Sequence, residues 1–166
     1  NRPVEDRKIV AVIRNPYELE YSFYRHLKKP GVAKRRKARE PGLVELAQGN
    51  FKEFARSAGY HRRKLRQEDF FLVDGKFPAN VEVIRYEDLE HSFVNAVAPY
   101  CRDTQASPFP HTNKSQQGEL ESLLDEELKG IIYRKHPYIF DSFYPALRPS
   151  VVKEAREPGM VSDTRF

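Results

Sequence analysis

Lys8-Ile9-Val10-Ala11-Val12-Ile13-Arg14-Asn15-Pro16 passes from a nearly unbroken β-branched and apolar run to a helix start within three positions. The run has the pattern of a strand buried on both faces in a parallel sheet. Asn15 suits an N-cap, Pro16 suits the first helical position, and Glu18 falls three residues after Asn15 as in a capping box. A helix is therefore predicted to about Lys29, where Pro30-Gly31 stops it. Arg14 then lies at the carboxyl end of a strand and beside a helix N-terminus. Open α/β sheets bind ligands there, and backbone N–H groups favour anions.

The same alternation returns further along. Asn50-Phe51-Lys52-Glu53 offers a second capped start, for a short helix that Gly59 closes. Asp74-Gly75 is a turn signal, Val81 to Tyr86 reads as another strand, and Asp88 opens a helix to roughly Tyr100. Ser107 to Ser115 is a Pro-containing loop. Asp125 caps a helix whose Leu128, Ile131 and Ile132 form an apolar stripe, ended by Pro137. The expected class is α/β, one domain over residues 1–147 followed by a polar tail over 148–166.

At 166 residues, one core is the default. Hydrophobic residues at 39% and charged residues at 32% exclude collagen-like and wholly disordered chains, and no apolar run is long enough for a membrane helix. A lone cysteine, Cys101, forms no internal disulfide and reads as packing. The five histidines are scattered, so no metal is expected. The net charge of +5 hides a segregation: between Lys28 and Arg66 stand thirteen Lys and Arg against three Glu, which leaves the remainder acidic. That basic region is either a solvated loop or a surface for a polyanion, an acidic substrate or an anionic membrane.

Two further patterns carry chemistry. Arg14 is followed eight residues later by Ser22 within Tyr21-Ser22-Phe23-Tyr24, and Val83-Ile84-Arg85-Tyr86-Glu87-Asp88-Leu89 closes the second strand. Together they resemble the nucleotide-binding segments of sulfotransferases that use 3′-phosphoadenosine 5′-phosphosulfate. Pro110-His111-Thr112-Asn113-Lys114-Ser115 and Phe140-Asp141-Ser142-Phe143-Tyr144 look like that family's carboxyl-terminal loop and last helix. The matches stand in family order and extend to about Tyr144.

The resemblance implies a fold like that of phosphate-loop NTPases, a parallel sheet flanked by helices, incomplete at its amino terminus. It implies Arg14 and Ser22 on the nucleotide's 3′-phosphate, Tyr86 near the adenine and Lys114 as a second cation. A guanidinium and a rigidly held hydroxyl suit a dianionic phosphate. The phosphosulfate-binding loop expected before Lys8 has no counterpart here, since no Gly is followed by Lys-Ser or Lys-Thr. The chain thus reads as the carboxyl-terminal part of a sulfotransferase that moves a sulfuryl group to a hydroxyl or amine. No catalytic residue is nominated, and His26, one turn beyond Ser22, reads as packing or surface. The acceptor is expected to be a small molecule or an anionic glycan. The competing reading is a basic polyanion-binding α/β module without catalysis. Nucleic acid is disfavoured because Tyr60 and His61 are the only aromatics beside the second basic run. Without a signal segment at Asn1, a cytoplasmic location is expected.

Overall fold

A computed structural model describes residues 7–57, 66–100 and 117–150. Strands β1 (Ile9–Ile13) and β2 (Val81–Arg85) pair in parallel, in register from Ile9 with Val81 to Ile13 with Arg85. The rest is mostly helical: α1 (Pro16–Lys28), α2 (Pro30–Lys37), α3 (Pro41–Gln48), α4 (Phe51–Arg56), α5 (Leu89–Val97), α6 (Gln117–Leu123), α7 (Glu126–Lys135) and α8 (Pro137–Phe143). The class is α/β with a small sheet.

Helix α1 organises the core. Tyr17, Tyr21, Tyr24 and Leu27 recur every three or four residues and are buried, the stripe expected of a helix with one face inward. Tyr21 meets Phe51 edge to face at 5.1 Å, Tyr24 lies 5.4 Å from Phe54, and Tyr17 lies 4.8 Å from Phe140. Each such pair contributes roughly 0.5–1.5 kcal/mol beyond its area. Two buried phenols also place their hydroxyls, Tyr24 donating to the Gly49 carbonyl at 2.7 Å and Tyr17 to the Leu147 carbonyl at 2.9 Å. Across the helix, buried Glu20 accepts His136 Nε2 at 3.0 Å and lies 3.6 Å from Lys135 Nζ, tying α1 to the α7–α8 junction. Burial pushes the Lys135 ammonium below the usual lysine range, and Glu20 pulls it back up.

Several sequence expectations change. β1 is not buried on both faces: Ile9 and Val12 are 38% and 48% exposed. Among the described residues its only strand neighbour is β2, which leaves one edge and part of each face without cover. Pro30-Gly31 ends α1 as expected, but Pro30 also starts α2, and Pro41 starts α3 in the same first-turn position. Much of the basic region is thus helical and not an open loop. Asn50 caps α4 through the Glu53 N–H and Asp125 caps α7 through the Leu128 N–H, as the sequence predicts. α4 ends at Arg56, and Gly59 lies outside the described residues. Asp74 and Gly75, with φ of 51° and 72°, make the tight turn between Val73 and Lys76. Of the polar segment from Arg148, the first three residues are anchored: Arg148 pairs with Asp141 at 2.8 Å, Pro149 is fully buried, and the Ser150 N–H reaches Glu126. Cys101, the 107–115 loop and residues 151–166 lie outside the described residues.

Because Phe54 is fully buried at the junction of α1 and α4, Phe54→Ala is expected to cost about 3–5 kcal/mol in urea unfolding. Phe70, 74% exposed, is the internal comparison, and Phe70→Ala is expected to stay within about 0.5 kcal/mol of the parent.

Candidate functional site

The register that pairs Ile13 with Arg85 brings the next residues of both strands, Arg14 and Tyr86, to the same sheet end. There the Arg14 guanidinium lies over the Tyr86 ring, 4.7 Å from its centroid. Its Nη2 and Nε also point at one carboxylate oxygen of Glu18, at 3.2 and 3.4 Å. The cation is thus held between an aromatic face and a carboxylate one helical turn along α1, both attractive arrangements. Glu18, which the sequence offers as a capping-box partner, serves Arg14 instead, while the Asn15 side chain caps α1 alone through the Tyr17 N–H.

The backbone around Arg14 is clamped from two directions, and the end of β2 is tied down beside it. Gln67, in a 3₁₀ turn over Gln67–Phe70, accepts the Arg14 N–H at 2.7 Å and donates to the Arg14 carbonyl at 3.0 Å. Glu87 accepts the Asn15 N–H at 2.8 Å with one oxygen and the Tyr144 hydroxyl at 2.7 Å with the other. Arg85 donates to the Phe143 carbonyl at 2.6 Å and lies over the Tyr144 ring. These bonds join both strand ends to the end of α8. Burial pushes the Tyr144 phenol well above its ordinary range, and its hydrogen bond to the Glu87 carboxylate adds to the shift.

Ser22 lies half-buried on α1 one turn beyond Glu18 and on the same side of the helix, while Arg14 precedes α1 at the end of β1. A cavity of about 460 Å³ opens beside them between α1, α6, α7 and Ala146 to Ser150. Asn15, Glu18, Tyr21, Lys129 and Arg148 line it; Arg14 and Ser22 do not. The structure therefore brings Arg14 and Tyr86 into contact and sets Ser22 in the second turn of α1, and none of the three lines this cavity. Lys114 lies outside the described residues. His26 is exposed. No three His, Cys, Asp or Glu side chains among the described residues are grouped to hold a metal ion, and no described helix is long and apolar enough to cross a membrane.

Gln67 and the Glu87–Tyr144 pair were not legible as site residues. Gln67 stands 53 residues from its partner, and Glu87 and Tyr144 stand 57 apart, without a local pattern to announce either contact. Glu18 had a usable signal, its spacing of four from Arg14.

What the site can do follows from its donors. The guanidinium has five N–H groups in a planar fork, and Glu18 engages them through a single oxygen. An oxyanion arriving at the strand ends meets a cation already oriented by ring and backbone clamps, but it must share or displace Glu18. No family model, curated protein or solved structure matches the chain.

The burial of the Tyr144 phenol, together with its bond to Glu87, gives the fold a pH signature. A phenol raised in the folded state contributes stability that is present below its unfolded pKa of about 10 and is lost as pH rises through the folded value. Stability is therefore expected to fall above about pH 10, and Tyr144→Phe is expected to make that fall shallower in denaturant titrations run across the alkaline range.

Proposed function

We propose that the chain forms the 3′-phosphate and adenine side of the nucleotide site of a sulfotransferase using 3′-phosphoadenosine 5′-phosphosulfate. One observation carries the reading: two motifs far apart in sequence, ending in Arg14 and Tyr86, meet at the carboxyl ends of parallel strands beside the start of α1. Ligands of open α/β sheets gather at such a place. The finer fold assignment, a sulfotransferase sheet of the phosphate-loop type, belongs to the same proposal.

The donor set fits the group. Arg14 supplies a planar fork able to hold two phosphate oxygens, Ser22 a hydroxyl on α1, and Tyr86 a ring beside the guanidinium. Lys114 is the proposed second cation. When bound, the nucleotide supplies the sulfuryl group, whose bond to the phosphate oxygen breaks as the acceptor oxygen or nitrogen bonds to sulfur and gives up its proton. The share of Arg14, Ser22 and Tyr86 is positioning: they fix one end of the donor so that the reacting end is presented in one orientation. No residue is assigned to take the acceptor proton. Glu18 works against anion binding by occupying Arg14, and this ties affinity to a carboxylate that must yield.

Calorimetric titration separates the nucleotide's 3′-phosphate from the rest. 3′-Phosphoadenosine 5′-phosphate is expected to bind more tightly than ADP, and Arg14→Ala to lose about ten- to hundredfold of that affinity. Arg14→Lys keeps the charge without the fork and is expected to recover only part of it. Equal affinity for the two nucleotides, or none for either, refutes the reading.

Glu18→Gln tests the competition directly. With the opposing charge gone, affinity for 3′-phosphoadenosine 5′-phosphate is expected to rise about two- to fivefold, and affinity for ADP to stay unchanged.

A further inference from the structure

Helix α2 carries Lys34, Arg35, Arg36 and Lys37 in its last turn and no acidic residue in its first. Val32 is its buried side chain, and at 3.6 residues per turn Lys34 and Lys37 fall on the side opposite Val32, facing solvent. Arg36 turns inward, over the Phe23 ring at 5.6 Å and paired with Glu40 at 2.9 Å. Arg35 donates to the Gly31 carbonyl. At the end of α1, Lys28 lies 4.5 Å over the Tyr24 ring and donates to the Tyr24 hydroxyl and the Gly49 carbonyl. These oxygens are neutral, so Arg35 and Lys28 are oriented without their charge being cancelled. Lys29 and Arg39 are exposed at either end of α2.

Cations in a last turn complement the helix dipole, which accounts for part of the cluster. Lys28 and Lys29 stand in the same way at the end of α1, but the dipole does not account for Lys34 and Lys37 being set one turn apart, where they repel each other. We infer that this face of α2, with Lys28 and Lys29, docks an acidic polysaccharide. The charge calls for a polyanion, and the remaining chemistry selects among them. Single-stranded nucleic acids are held by aromatic platforms, and α2 has no aromatic residue, while the neighbouring Phe23 and Tyr24 rings are covered by Arg36 and Lys28. Base edges are commonly read by Asn and Gln as well as Arg, and α2 has neither amide. An array of sulfates and carboxylates on a flexible sugar chain asks only for well-spaced cations. The 13 residues of α1 set α2 about 20 Å from the strand ends, a gap that a bound oligosaccharide spans and a small acceptor does not. The docking stands on α2 alone; its service as acceptor rests on the proposed sulfotransferase reading.

The test measures binding of the 166-residue chain to a heparin-type oligosaccharide, and to duplex and single-stranded DNA of matched charge, over a range of salt. The triple variant K34Q/R35Q/K37Q, which keeps good helix formers, is expected to lose about tenfold or more in polysaccharide affinity and to show a shallower salt dependence. K76Q, in the distant turn at Asp74-Gly75, is expected to bind as the parent does. Unchanged polysaccharide affinity in the triple variant, or DNA bound as tightly as the polysaccharide, overturns the inference. Titration of the parent and the triple variant with 3′-phosphoadenosine 5′-phosphate separates the two readings. Polysaccharide binding lost with nucleotide binding retained supports both, and polysaccharide binding lost where neither protein binds nucleotide upholds the docking surface and refutes the nucleotide site.

Discussion

The parallel pairing of β1 with β2 is the constraint on which the rest of the molecule depends. A one-residue slip would turn the side chains of one strand to the other face and set Arg14 beside Glu87 in place of Tyr86. Two parallel strands are too few to hold their own register in water. The register is held from outside, by α1 packing its tyrosines into the core and by side chains that bridge the strand ends. The Glu87 bond to the Asn15 N–H is the clearest case, closing a span of 72 residues at the point where the register counts. Because that bond uses a carboxylate and an amide each two positions beyond the last paired residues, it reads out the same alignment as the ladder and reinforces it.

The strand ends and α2 handle positive charge in opposite ways. At the strand ends Arg14 faces Glu18 and Glu87 lies beside Arg85, so the local charge nearly cancels and a cation only partly open to water is kept in one orientation. Desolvation there is offset by fixed partners, and the electrostatics are short-ranged and specific. On α2 Arg36 pairs with Glu40, while Lys34, Arg35 and Lys37 stand in water, Arg35 on a neutral carbonyl, where the field reaches about a Debye length and falls with salt. On the proposed reading, the first arrangement selects a small anion by geometry and the second gathers a large one by charge, from the two ends of α1.

What the sequence made legible was local. β1, β2, the start of α1 and the caps at Asn50 and Asp125 each rest on residues within a few positions of one another, and each is found where the pattern puts it. α2 and α3 were missed because their apolar faces are short. α2 buries Val32 alone, so helical periodicity has almost nothing to register there, and Pro30, which ends α1, equally well begins a helix. Burial of β1 was overestimated because an apolar strand says what it is able to bury and not how many neighbours cover it. At the site, Arg14 stood out through its position at a strand end, while Gln67 and Tyr144 reach it only through the tertiary fold.

The buried ion cluster on α1 explains how the helix serves both ends. Glu20 is buried, and its carboxylate faces His136 and Lys135 across the core, an arrangement that apolar residues of similar volume would often match or exceed in stability. Its specific contribution is rotational. Tyrosines in a core stripe tolerate a rotation of several degrees by repacking, whereas a buried carboxylate that loses its partners is left charged and desolvated, which costs several kcal/mol. Glu20 stands two residues from both Glu18 and Ser22, a little over half a turn from each. Holding Glu20 inward therefore keeps Glu18 and Ser22 turned away from the α7–α8 junction. The position of the Glu18 carboxylate beside Arg14 is set in this way from the far side of the helix, by residues that touch neither.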